Sequence, residues 1–263
     1  MSGAGAGPGL GPSATSPGGA PAPKVETGVR RLDDLLEGGV PPTSVTLLYG
    51  PPFLGKELLS RLFLLQGLRQ GVPGILVLTG QATSDARAQL AQIDPAYPGY
   101  ERQGLICFVD TYSKSIGAED DFAQAEYVDG PVNLNAVSLA VNNAQRRIIA
   151  EHATHRLVYD SVSTTTTYTN AQTTFRFLQV LVGKAKRAGA TTMLLLDQGM
   201  HTDAEVQTFK HLSDGMIEVR AEGTSNFLQV AGIGVTENRG WVEYRFTERL
   251  FDVTGSFSAG RIR

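Results

Sequence analysis

The stretch Val45-Thr-Leu-Leu-Tyr49-Gly50-Pro-Pro-Phe53-Leu54-Gly55-Lys56-Glu57-Leu58 decides how this chain is read. Val45 to Tyr49 is a short apolar run suited to a buried strand. After the loop, Leu58, Leu59, Leu62, Phe63 and Leu65 recur at helical spacing. A Gly-x4-Gly-Lys loop between a strand and a helix aims backbone N–H groups, and the positive end of a helix dipole, at an anion. Gly50, Phe53, Gly55, Lys56, Glu57 and Leu58 are therefore the candidate nucleotide-binding residues, with Lys56 neutralising the β- and γ-phosphates. Two features depart from the pattern. Phe53 and Leu54 are bulky where small residues let phosphates approach, and Glu57 stands where a Ser or Thr hydroxyl would hold Mg²⁺.

Working outward, further apolar runs alternate with helical stretches. Ile75-Leu78 and Leu105-Val109 flank a helix expected from Ser84 to Ile93. Another helix is expected from Leu134 to Ile149, with Leu134, Val137, Val141, Ala144 and Ile148 on one face. Leu157-Val-Tyr-Asp160 follows, then a helix from about Asn170 to Ala188 closed by Gly189, then Met193-Leu196. Continuous apolar strands separated by helices imply a parallel sheet covered on both faces. After Leu212 the texture changes to short strands at Met216-Val219, Phe227-Val230 and Trp241-Phe246, an antiparallel extension. Asp160 ends an apolar strand at the edge where open α/β sheets collect ligands, which makes it the candidate for the metal's water shell.

Composition bounds the remaining classes. With 263 residues, of which 41% are hydrophobic, the chain can bury one substantial core. A net charge of −3 provides no general basic field and argues against nucleic acid as a partner. No apolar stretch is long enough to insert in a membrane, and no signal pattern opens the chain, so a cytoplasmic location is expected. Cys107, the single cysteine, lies inside an apolar run and is expected in the core. Nineteen of the first 22 residues are Gly, Ala, Pro or Ser, and a flexible tail is expected there. One folded domain is expected over 23–250, its β-rich part over 212–246, with a second tail over 251–263. His152 and His155 lack a completing set of metal ligands and are expected on the surface or at a hinge. Thr164 to Thr167 are candidates for turn or helix-start residues, or for phosphorylation.

These motifs, in this order, resemble the RecA-like ATPases of the KaiC type. The resemblance runs from Val25 to Phe246. It includes Thr27-Gly-Val29 with Leu32-Asp-Asp-Leu35 and Gly38-Gly-Val-Pro41 before the loop, Asp160-Ser-Val162, Gly189-Ala-Thr-Thr192, and His211-Leu-Ser-Asp-Gly215. It implies a RecA-like three-layer α/β fold with a mostly parallel central sheet and a small C-terminal antiparallel extension. It also implies ATP or ADP with Mg²⁺ as ligand, and assembly with other copies through the phosphate-site face. The departures fall where hydrolysis needs residues. In place of the family's paired glutamates stand Gly80 and Gln81, and a Gln cannot act as a base although it can orient a water. The family's trans-acting Lys and Arg are matched by Gly232 and Gly234.

Glu57 is open to several interpretations: a Mg²⁺ ligand, a carboxylate that weakens phosphate binding, a residue simply favourable in the first turn of a helix, or one that pairs with Lys56 or occupies the anion site itself. A carboxylate about 4 Å from a phosphate charge costs roughly 4 kcal/mol at an effective dielectric near 20. The expected function is thus a catalytically degenerate KaiC-like homologue, a regulatory or scaffolding assembly protein with weak or no ATP binding. A slow Mg²⁺-dependent ATPase of the KaiC type in signalling is the alternative, and a recombinase accessory protein a third.

Overall fold

The structure is a computed structural model that describes residues 23–233 and 240–255. The tail expected over 1–22, and Gly234, lie outside the described residues.

The elements in chain order are α1 (Arg30–Leu35), β1 (Val45–Gly50), α2 (Lys56–Arg69), β2 (Gly74–Leu78), α3 (Thr83–Ile93), α4 (Tyr97–Arg102), β3 (Ile106–Asp110), α5 (Ser113–Ile116), β4 (Ala125–Tyr127), α6 (Leu134–Ile149), β5 (His155–Asp160), α7 (Val162–Tyr168), α8 (Ala171–Arg187), β6 (Ala190–Asp197), α9 (Asp203–Lys210), β7 (Gly215–Glu222), β8 (Ser225–Ala231), β9 (Val242–Phe246) and β10 (Phe251–Val253). The strands form one sheet in the order β10-β9-β8-β7-β1-β6-β5-β2-β3-β4. From β7 to β4 neighbouring strands run parallel, and β7 to β10 form an antiparallel meander. This is the expected three-layer α/β architecture with its C-terminal β extension.

Burial explains why the apolar runs became strands. Every residue of β2 and β3 is buried, as is each of β5 and β6 except its final Asp. A strand covered on both faces can carry apolar residues without alternation. One face packs Leu59, Phe63, Leu64 and Leu68 of α2 with Ala86, Leu90 and Tyr97, and the other packs Val137, Val141 and Ala144 of α6 with Leu178 and Leu181 of α8. Asn133 and Asn170 cap α6 and α8 through their side chains, accepting from the Ala136 and Thr173 amides. The turn after α8 needs Gly189, because φ is +83° and an added Cβ would lie 2.3 Å from the Ala153 carbonyl.

Some expectations change. Phe251–Val253 pairs with β9 rather than opening a tail at 251, because Phe251 and Val253 are buried in the core. Thr164 to Thr167 lie within α7, where Thr166 and Thr167 donate their hydroxyls to carbonyls one turn back. His155 is 1% exposed and not a surface residue: it begins β5 and meets Gln145 of α6 at 3.2 Å. Burial pushes its imidazole down to about 4, so it sits neutral in the core. Cys107 is buried in β3, and burial raises its thiol to about 11. Among the described residues, no group of three or more His, Cys, Asp or Glu is placed to hold a metal, and no helix is long and apolar enough to cross a membrane.

Candidate functional site

Parallel order brings the carboxyl ends of β1, β6, β5 and β2 side by side, and the functional side chains gather there. Lys56, Glu57, Thr79, Gln81, Asp160 and Asp197 line a cleft of about 250 Å³, with Ser161 and Thr164 on its wall. Of the residues expected from sequence, Lys56, Glu57, Gln81 and Asp160 meet in this cleft. Gly50, Phe53, Gly55 and Leu58 are not among its lining residues, and Leu58 packs partly buried against the core.

The loop between β1 and α2 is held by the C-terminal strands. Tyr244 of β9 donates its hydroxyl to the Leu54 carbonyl at 2.5 Å. Burial, and then the Glu57 charge, raise the Tyr244 phenol well above its ordinary range, so it stays a donor. The Phe246 ring lies against Gly55, where an added Cβ would fall 2.9 Å from the ring, and Gly55 takes the left-handed N-cap conformation at φ +82°. Tyr244 stacks in turn on Phe251, with centroids 4.6 Å apart. The bulky Phe53 does not crowd the cleft. It sits at φ +64° with its side chain 87% exposed.

Lys56 is 1% exposed and has three acceptors. Its Nζ lies 2.6 Å from Glu57 Oε1, 2.6 Å from Asp197 Oδ1 and 3.3 Å from the Pro51 carbonyl. Burial alone would lower this ammonium, but the Glu57 charge and the hydrogen bonds to Asp197 and Glu57 outweigh it and raise the pKa. The outcome is a lysine favoured in its charged form, whose three N–H donors have three acceptors within the chain.

Asp160 ends β5 and accepts from Arg61 Nη2 at 2.6 Å. Arg61 lies on the buried face of α2, its side chain 4% exposed, and also donates to Ser60. Thr79 closes the seam between β2 and β5, donating its hydroxyl to the Asp160 carbonyl at 3.0 Å and accepting from the Ser161 amide at 2.7 Å. Gln81 accepts from Gln89 at the outer edge of the cleft. At the end of β6 the Asp197 amide donates to Ser163 Oγ, which is 2.8 Å from His201 Nε2. Gly232 follows β8 at φ +73° and packs beside Asp214, at the end of the sheet opposite the cleft.

Asp197 and Arg61 were missed in the sequence. Asp197 carried the same signal as Asp160, an apolar run closed by an aspartate. Arg61 stands inside the apolar stretch Leu58-Leu59-Ser60-Arg61-Leu62-Phe63, where a cation demands a partner.

Comparisons with known proteins agree with this fold. The family model described as ATPase: KaiC matches residues 25–240. A UPF0273 protein of Aeropyrum pernix is 31% identical over 198 residues, which cover 74% of this chain and 77% of that protein. A UPF0273 protein of Pyrococcus furiosus is 33% identical over 141 residues, and this match spans 54% of the chain and 55% of the relative. The crystal structure of a KaiC-like protein from Pyrococcus horikoshii aligns with a TM-score of 0.71, covering 88% of this chain and 98% of that chain. At 19% identity it speaks for the fold alone. With most of its folded length matched by the family model, and a similar protein related over three-quarters of its sequence, the chain belongs to the KaiC ATPase family.

Proposed function

We propose that this chain is a regulatory or scaffolding protein of the KaiC family that assembles with further copies and with other proteins, and that it binds ATP weakly or not at all and does not turn it over. The observation that carries this reading is the committed Lys56 ammonium, held by Glu57, Asp197 and the Pro51 carbonyl with no donor left for a phosphate. A magnesium-bound nucleotide, which the family implies, is a poor fit to these residues. The loop presents a carboxylate where a hydroxyl would serve Mg²⁺, and Asp160 is tied to Arg61. Three carboxylates, Glu57, Asp160 and Asp197, face two cations, Lys56 and Arg61, so a polyanion would enter a cleft already in negative excess. Gln81 supplies no base, and Gly232 supplies no charge for a neighbouring copy.

The test is a sensitive phosphate-release assay with Mg²⁺ and ATP on the wild type, Lys56→Ala and Asp160→Asn. The expected result is no turnover that depends on either residue, together with a solution mass above that of the 28.1 kDa monomer. Steady release abolished by both substitutions in proteins that remain folded would overturn the reading and favour a slow ATPase.

A further inference from the structure

We infer that Glu57 is the loop's built-in anion: its carboxylate takes the place on Lys56 that a phosphate would occupy, and its charge is the largest single obstacle to a nucleotide at this site. The inference rests on the reading that the chain binds nucleotide weakly or not at all, and it assigns the main cause to a single side chain. Three observations support it.

The first is that the loop is held by its own chain. Gly55 has the left-handed N-cap geometry, Lys56 is buried and points into the cleft, and Tyr244 and Phe246 hold the loop from β9, so Lys56 and Glu57 are kept side by side at the cleft.

The second is the placement of the carboxylate. Glu57 lies in the first turn of α2, where the unpaired N–H groups and the helix dipole attract negative charge, and its Oε1 is 2.6 Å from Lys56 Nζ. The same two attractors, a helix N-terminus and the lysine, define the phosphate site. An incoming phosphate would have to displace Glu57 or share Lys56 with it.

The third is that Glu57 lies at the rim. Its side chain is 42% exposed while that of Lys56 is 1% exposed, so the carboxylate blocks from outside a lysine that cannot itself move away. Asp197, the other carboxylate on Lys56, also lines the cleft but is fixed at the end of a buried strand rather than on the loop. Removing Glu57 therefore frees one donor while Asp197 keeps Lys56 in position.

The experiment measures binding of Mg²⁺–ADP, by calorimetry and with a fluorescent ADP analogue, to the full chain and to Glu57→Thr, Glu57→Gln and Lys56→Ala/Glu57→Thr. Circular dichroism and a thermal melt without nucleotide establish that each variant is folded. The Gln change keeps the size of the side chain and removes its charge, so it covers the case in which Thr disturbs the helix start. Removing a like charge about 4 Å from a phosphate is worth about a hundredfold to a thousandfold in affinity. We expect no saturation of the wild type at millimolar ADP, a gain of that size for Glu57→Thr, a smaller gain for Glu57→Gln, and return to the wild-type level when Lys56 is also removed.

Folded Thr and Gln variants that bind no better than a silent wild type would overturn the role of Glu57 while leaving the non-hydrolysing reading in place. Tight binding by the wild type would overturn the role of Glu57 and the weak-binding part of the proposed function together. ATP turnover by the wild type that requires Lys56 overturns the non-hydrolysing reading by a separate measurement.

Discussion

Replacing Asp160 with Asn removes the charge that balances Arg61 inside the protein. The guanidinium is almost fully enclosed, its side chain 4% exposed against 18% for Asp160, and the two meet at 2.6 Å. Deleting one partner of a buried pair costs about 3–5 kcal/mol, because the other charge is left without compensation. The Asn carbonyl can still accept one hydrogen bond and Ser60 remains in place, so a smaller loss, about 2–3 kcal/mol, is expected. For a domain of this size that is a fall in Tm of about 5–10 °C. The assay is denaturant and thermal unfolding without nucleotide, on Asp160→Asn, Arg61→Met and the double variant. Arg61→Met should be milder, since it leaves a carboxylate that reaches the cleft. The double variant should recover most of the Asn loss, with a coupling above about 1.5 kcal/mol. Additive losses, or an Asp160→Asn protein as stable as the wild type, would refute the view that Asp160 is engaged by Arg61 rather than held ready for a metal.

His155 should make stability fall with acid. Its folded value of about 4 lies below the ordinary 6.5, so the unfolded chain takes up a proton that the folded chain refuses between those limits. The contribution is complete above pH 6.5 and is lost as pH falls to about 4, amounting to about 3 kcal/mol. A series of urea midpoints should show this slope flattened in His155→Gln, and an unchanged slope would sink the assignment. Gly189→Ala should destabilise by more than about 2 kcal/mol, because its left-handed φ and the Ala153 carbonyl leave no room for a methyl group, as a chemical melt would read.

Much of the sheet was legible because buried parallel strands have a plain signature. The runs at Val45, Ile75, Leu105, Leu157 and Met193 each became a strand. β4 was not legible: Ala125–Tyr127 is three residues long and half-buried, with neither a continuous nor an alternating pattern. β10 was hidden for a related reason, since Phe251–Val253 earns its place only by pairing with β9 and burying two side chains. In the site, the pairing of Lys56 with Glu57 was among the interpretations that neighbouring residues allow. The second partner was not, because Asp197 stands far along the chain and reaches Lys56 only through the insertion of β6 between β1 and β5. The partner of Arg61 was obscured in the same way, by sheet order.

The grip of β9 on the phosphate loop also bears on what counts as the smallest working unit. The match to the family model ends at residue 240, and Tyr244 and Phe246, which fasten Leu54 and Gly55, lie beyond it. A fragment trimmed to the shared region would keep every residue of the loop and lose the two aromatic side chains that hold it from behind. The matched segment and the mechanically complete one therefore differ by a strand, and that strand belongs to the loop as much as Gly50 or Lys56 does.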